Sequence, residues 1–195
     1  MRMVLLNVIG GIWLAWLVYW WVSSLRAKAA ERSDGVGALL MYRVPMVIGA
    51  LLLIATNPPR WFARFSWLWS RWLPASMVWP ALGLVLVALG LAFACWARVA
   101  LGRNWSAIVQ IKRDHELIIT GPYRWTRHPI YTGMLLALIG TALAIGELRG
   151  WTGFVLVFIG LWFKLRHEEA WMRECFGDAY VDYMHRVKAL VPGVL

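Results

Sequence analysis

Two short polar stretches in an otherwise oily chain carry the residue types that could do chemistry. The first is Gly121 to Gly133, reading GPYRWTRHPIYTG. Gly121-Pro122 forces a turn, since glycine tolerates positive φ and proline fixes φ and lacks a donor. His128-Pro129 repeats the device, because proline suits the first turn of a helix, where its missing N–H would have had no partner. A helix is therefore predicted to start at Pro129. Tyr123, Arg124, Trp125, Arg127, His128 and Tyr131 then lie beside the free N–H groups of a helix N-terminus, which favour anionic ligand groups. The second stretch begins at Glu168-Glu169, two adjacent carboxylates where a hydrophobic helix ends. Carboxylates there are costly beside lipid and must find cations or water, so a cationic ligand group is a natural partner. Dipole ends and imidazole on one segment and carboxylates on another together suit a zwitterion. The first stretch also fits a plain membrane-entry loop, with arginine as phospholipid anchor and Trp and Tyr as an interfacial belt. His115, His128, His167 and His185 lack zinc-ligand spacing, and no metal site is expected.

The elements that must hold these residues are hydrophobic helices. With 61% hydrophobic and only 15% charged residues in 195, the composition is that of a multi-span membrane protein. The net charge of +10 sits in short segments between apolar runs, where anionic headgroups and topology explain it better than nucleic acid does. Cys95 and Cys175 have no C-x-x-C spacing and are expected to be free thiols. One all-α membrane domain over residues 1–195 is expected, with transmembrane helices at about 4–22, 39–56, 79–101, 131–146 and 151–165. Val4 to Val22 is an uncharged run of 19 residues, close to the roughly 20 that a bilayer core needs. Its five aromatics and lack of a small-residue cleavage pattern make it a retained helix and not a signal peptide. Arg60 to Pro74, with Trp61, Trp67, Trp69 and Trp72 among three arginines and no acid, reads as an interfacial segment. Gly133 with Gly140, and Gly153 with Gly160, repeat at seven and would let the last two spans approach each other closely. Beyond them Arg166 to Val187 has the spacing of an amphipathic helical tail, broken in two at Gly177-Asp178.

Five spans place the termini on opposite sides. One side, with segments 24–43 and 98–127 and the tail from Lys164, holds fifteen Lys and Arg; the other holds five, at Arg2, Arg60, Arg64, Arg71 and Arg149. The positive-inside rule puts the first side, with both polar stretches (102–130 and 166–190), in the cytoplasm.

The pattern Gly-x-Tyr-x-x-x-Arg-His-Pro-x-Tyr over Gly121 to Tyr131 resembles the signature of the isoprenylcysteine carboxyl methyltransferase family. Glu168-Glu169, followed by Phe176-Gly177-Asp178 and Tyr180 to Tyr183, resembles its second signature, in the family's order. The likeness is specific over Asn104 to Met134 and Lys164 to Tyr183, weak over Trp79 to Arg103 and undetectable in the first 75 residues; the short length resembles small prokaryotic members, implying a prokaryotic inner or plasma membrane. The resemblance implies an S-adenosyl-L-methionine-dependent methyltransferase acting on a lipidic or prenylated substrate that enters from the bilayer. The implied reaction is carboxyl O-methylation, as in protein-S-isoprenylcysteine O-methyltransferase. It further implies that Gln110, His115, Glu116, Leu117, Ile118, Tyr123, His128, Pro129, Ile130 and Tyr131 line the cofactor pocket, that Glu168 holds the cofactor, and that the C-terminal tail helps close the pocket. Lys164 takes the substrate-facing position, where the family usually has arginine, and lysine is no equal substitute for a bidentate carboxylate clamp. No general base is demanded, because a carboxylate acceptor is already ionised. Three other readings stay open: phospholipid N-methylation with the same cofactor and a related signature, an NADPH-dependent membrane sterol or ene reductase with a similar Arg-His-Pro-x-Tyr pattern, and a transporter or non-catalytic scaffold. Transport is disfavoured by central spans without ionisable residues.

Overall fold

The computed structural model describes residues 1–25, 35–102 and 117–194. Its elements are α1 (Arg2–Ser24), α2 (Val36–Ile54), a 3-10 helix (Arg60–Trp69), α3 (Val78–Leu101), a 3-10 turn (Gly121–Arg124), α4 (Pro129–Ile145), α5 (Leu148–Phe176) and α6 (Asp178–Arg186). Among the described residues the only extended pairing is an isolated bridge between Arg71 and Glu147. Among the described residues three helices, α1, α3 and α5, are long and apolar enough to cross a membrane, and two shorter apolar helices, Leu39–Ile54 and Pro129–Ile145, accompany them. Hydrocarbon offers backbone groups no water, so runs this apolar fold as helices that satisfy their own N–H and C=O groups. In α1, Ile9 and Trp16 turn inward and Trp13 Nε1 donates to Thr141 Oγ1 of α4 at 3.0 Å. Val4, Leu14, Leu17, Val18 and Trp21 lie exposed on its other side, an apolar face of the kind that lipid covers.

Two glycine seams join the helices. α3 lies antiparallel to α4 with Gly83 facing Gly140 and Gly90 facing Gly133; a Cβ on Gly90 would come within 2.5 Å of the Gly133 carbonyl oxygen. α2 lies against α5 in the same manner, Gly49 facing Gly153, where a Cβ on either would come 2.6 to 2.7 Å from the other's carbonyl. The seven-residue glycine repeats of α4 and α5 therefore do not face each other, as the sequence suggested, but face α3 and α2. A repeat marks the close-packing face of a helix without naming its partner. The α4–α5 approach relies instead on Gly150, whose Cβ would meet Ala142 Cα at 3.0 Å. The turn between them is shorter than expected: α4 ends at Gly146 in the left-handed region (φ 63°), and α5 starts at Leu148.

Two further features differ from the sequence reading. α5 runs without a break through 165 and 166 to Phe176, so the last span and the first half of the tail are one helix of 29 residues. Gly177 does separate it from α6, at positive φ (52°), although Asp178 is the first residue of α6 and makes no side-chain cap bond. Arg60–Trp69 forms a 3-10 helix whose Trp61, Phe65 and Trp67 are exposed.

The end of the bundle away from Glu168-Glu169 explains two arginines on the sparsely basic side. Arg2 Nη2 donates to the Ile145 carbonyl at the end of α4 at 2.6 Å. Arg149 Nη1 donates to the Leu52 and Leu53 carbonyls at the end of α2 at 2.9 and 3.1 Å, while its Nε pairs with Glu147 at 2.6 Å. Guanidinium at a helix C-terminus satisfies carbonyls without a partner and complements the dipole.

Candidate active site

At the opposite end, the start of α4 meets the last turns of α5. Pro129 is the first residue of α4 and His128 its flanking residue, as the sequence predicts. This directs the His128 ring at Glu168 and Glu169 on α5: Nδ1 lies 3.6 Å from Glu168 Oε2 and Nε2 lies 3.3 Å from Glu169 Oε1. One turn into α4, the Tyr131 hydroxyl donates to Glu168 Oε1 at 2.6 Å, and its ring stacks parallel to the His128 ring with centroids 5.5 Å apart. Lys164, four residues before Glu168 on the same helix, places Nζ 3.8 Å from Glu168 Oε1. Its ammonium also lies 5.6 Å from the centroid of the Tyr131 ring and 5.9 Å from that of Tyr42 on α2.

A second layer ties down this cluster. Arg127 donates from Nε and Nη2 to Glu169 Oε1 at 2.8 and 2.6 Å, the two side chains being 8% and 2% exposed. Its Nη1 reaches the carbonyls of Met184, at 3.3 Å, and Val187. The backbone N–H groups of Arg127 and His128 donate to Lys188 and Ala189, at 2.8 and 3.0 Å, and Thr132 Oγ1 donates to the Leu190 carbonyl at 2.7 Å. The segment after α6 is thus stitched across the loop that carries His128. The Tyr183 hydroxyl donates to the Tyr123 carbonyl and closes the same joint.

Electrostatics follow from this crowding. Burial opposes the imidazolium of His128, yet the hydrogen bonds and charges of Glu168 and Glu169 overcome it, so His128 titrates above its ordinary value. Burial, with the Glu168 charge second, pushes the Tyr123 phenol far up and keeps it neutral. The cluster thus sets two carboxylates against Arg127, His128 and Lys164, with opposite charges already in contact. A zwitterionic ligand exchanges its own charges for these pairs without stranding either sign, and the donor set fits an amino acid moiety.

Of the residues singled out from sequence, the structure brings together His128, Tyr131, Lys164 and Glu168. Tyr123, Ile130 and Tyr131 belong to one buried core, with Ile118 packed against it. Pro129 is fully buried, Leu117 is half-buried, and Gln110, His115 and Glu116 lie outside the described residues. The sequence placed Arg127 beside the start of α4 and Glu169 in the carboxylate pair without matching them to each other, as the structure does, and it gave Tyr42 no role. Tyr42 lies in the first 75 residues, where no motif points to it.

The Phospholipid methyltransferase family model matches residues 78–179, a stretch running from α3 into α6. Protein-S-isoprenylcysteine O-methyltransferase B of Arabidopsis thaliana is 30% identical over 115 residues, 57% of this chain and 58% of that protein. Protein-S-isoprenylcysteine O-methyltransferase of Saccharomyces cerevisiae is 34% identical over 124 residues, 60% of this chain and 51% of that protein. The chain thus spans little more than half the length of these curated relatives. In fold it resembles the eukaryotic intramembrane Ras methyltransferase ICMT (isoprenylcysteine carboxyl methyltransferase), with a TM-score of 0.55 at 23% identity over 80% of this chain and 63% of that one. A match over more than half the chain, carried on an all-α bundle with the fold of an intramembrane enzyme, shows that the chain belongs to the phospholipid methyltransferase family.

Proposed function

We propose that this protein is an S-adenosylmethionine-dependent methyltransferase that esterifies the carboxylate of a lipid-borne, prenylcysteine-like acceptor. The observation that carries the reading is the pairing of Lys164, His128 and Tyr131 around Glu168 at one end of an apolar bundle. Glu168 is the group to hold an amino function, and the His128 imidazolium suits a carboxylate. Bound there, S-adenosylmethionine supplies an electrophilic methyl group to an in-line nucleophile. The protein's part is to orient and to exclude water. Lys164, one turn deeper along α5 than Glu168, offers its charge to the acceptor carboxylate, which needs no general base. His128 and Tyr131 hold Glu168 in place through the contacts described above.

In this reading α2 and α4 also cross the bilayer, making five spans, and the site faces the cytoplasm, the side carrying fifteen of the twenty basic residues. That is where a soluble charged cofactor is available. The family's description favours a second acceptor class, the amine of a phospholipid. A cation at the acceptor position repels a protonated amine, which must moreover lose a proton before it attacks. The two are separated by methyl transfer in detergent to a farnesylated cysteine, to its carboxamide and to phosphatidylethanolamine. Transfer to the free carboxylate alone is expected. Transfer to phosphatidylethanolamine, rising steeply with pH, contradicts the carboxyl assignment.

A further inference from the structure

Lys164 is held in an unusual way. Its side chain is only 12% exposed, and the distance of 3.8 Å to Glu168 is long for a bonded ion pair, which closes to about 2.7–2.9 Å when charge-assisted. Two aromatic faces, Tyr131 from α4 and Tyr42 from α2, stand 5.6 and 5.9 Å from the ammonium, within the roughly 6 Å over which a ring face attracts a cation. Tyr42 is itself 4% exposed. Its place is set by Gly160, one turn before Lys164 on α5, where a Cβ would come 2.6 Å from the Tyr42 carbonyl oxygen. The α2–α5 seam therefore brings the Tyr42 backbone against α5 one turn from the lysine. Tyr42 lies outside residues 78–179, so family membership assigns it nothing.

A ring face differs from a carboxylate in what it leaves behind. A carboxylate partner cancels the charge of an ammonium, whereas a ring quadrupole attracts the cation and leaves its net charge intact. We propose that Tyr42, with Tyr131, is a positioning residue that keeps Lys164 buried but charged when Glu168 turns to a cationic ligand group, and so makes Lys164 the site for the acceptor's carboxylate. The inference rests on the reading given under Proposed function. Two consequences follow. Occupation of Glu168 withdraws that carboxylate from Lys164 and leaves more of its charge to the acceptor, so ligand binding at Glu168 tightens binding of a carboxylate acceptor, and by linkage the reverse. The preference for a carboxylate over an amine is then built by α2, an element that bears none of the signature residues.

The test uses the full-length protein in detergent, with S-adenosylhomocysteine and a farnesylated cysteine as probes. In the wild type, acceptor affinity measured by calorimetry is expected to rise when S-adenosylhomocysteine is present. Tyr42→Leu is expected to abolish this coupling and to raise the acceptor KM about tenfold, with kcat and S-adenosylhomocysteine affinity little changed; Tyr42→Phe, which keeps the ring, is expected to rescue both losses. Because leucine could disturb the α2–α5 seam, a second series places phenylalanine with zero to four ring fluorines at position 42. Each fluorine weakens the quadrupole at nearly constant shape, and the acceptor KM is expected to climb stepwise. A KM indifferent to fluorination, or coupling that survives Tyr42→Leu, overturns the role of Tyr42 while leaving the methyltransferase reading intact. A wild type that binds no S-adenosylhomocysteine and methylates no carboxylate overturns both.

Discussion

His128 stands between two carboxylates, and its protonation is part of what holds α4 to α5. Its folded pKa is raised, the contacts with Glu168 and Glu169 prevailing over burial. The imidazolium's contribution to stability is therefore complete below the ordinary value of 6.5 and lost as pH rises through the folded one. Thermal midpoints of the ligand-free protein are expected to fall between about pH 6 and about pH 9 by more in the wild type than in His128→Gln; equal slopes would remove His128 from this account. Among the described residues, Arg127 and Glu169 form the most deeply buried ion pair at this end. Glu169→Ala strands the guanidinium and is expected to destabilise the fold by about 3–5 kcal/mol, read by denaturation. Glu168→Ala, by contrast, is expected to spare most stability and abolish cofactor binding. Lys164→Ala is expected to leave cofactor binding and raise the acceptor KM, and Lys164→Arg to retain or improve activity on a carboxylate. At this scale the sequence was legible where a residue type is expensive in its setting. A histidine before a helix-starting proline and paired acids at the end of an oily helix both announce a site, and they do meet. Which acid of the pair holds which cation was not legible. Glu168 and Glu169 are neighbours in sequence, but helical rotation turns one toward Lys164 and Tyr131 and the other toward Arg127.

At the scale of elements, the helices were legible because hydrophobicity alone dictates them in lipid. Pro129 and Gly177 also marked boundaries as their backbone chemistry requires. The neighbours were less legible, since Gly133 and Gly140 report that something must come close without reporting what. The structure answers with α3, and with α2 for Gly153. Gly90→Val is expected to cost at least about 1–3 kcal/mol, because the added atoms meet backbone that cannot move aside, whereas Gly10→Val, with open space around it, is expected to cost little. Detergent-solubilised midpoints of the two variants distinguish the seam from a general intolerance of valine in helices. The continuity of α5 from lipid into the site was missed for a physical reason: the change at 166 from apolar to amphipathic composition marks a change of solvent, not an end of hydrogen bonding. That continuity keeps Lys164 and Glu168 on one face.

For the whole molecule, the proposed five-span arrangement would put Ser66 outside and Ala179 inside, and both are exposed. In a background lacking Cys95 and the exposed Cys175, a cysteine replacing Ser66 is expected to react with an impermeant maleimide from outside intact cells, and one replacing Ala179 only after lysis. Labelling of both from one side would contradict five spans. The same arrangement joins charge and chemistry: the basic side carries the zwitterion-matched cluster, and the opposite side spends Arg2 and Arg149 on helix ends. The central claim is that this cluster holds S-adenosylmethionine through Glu168, and calorimetry on the purified protein tests it most directly. The account predicts binding of S-adenosylmethionine and S-adenosylhomocysteine by the wild type, and none by a folded Glu168→Ala variant. Undiminished affinity in that variant, or binding of NADPH with no response to either sulfur ligand, would contradict it.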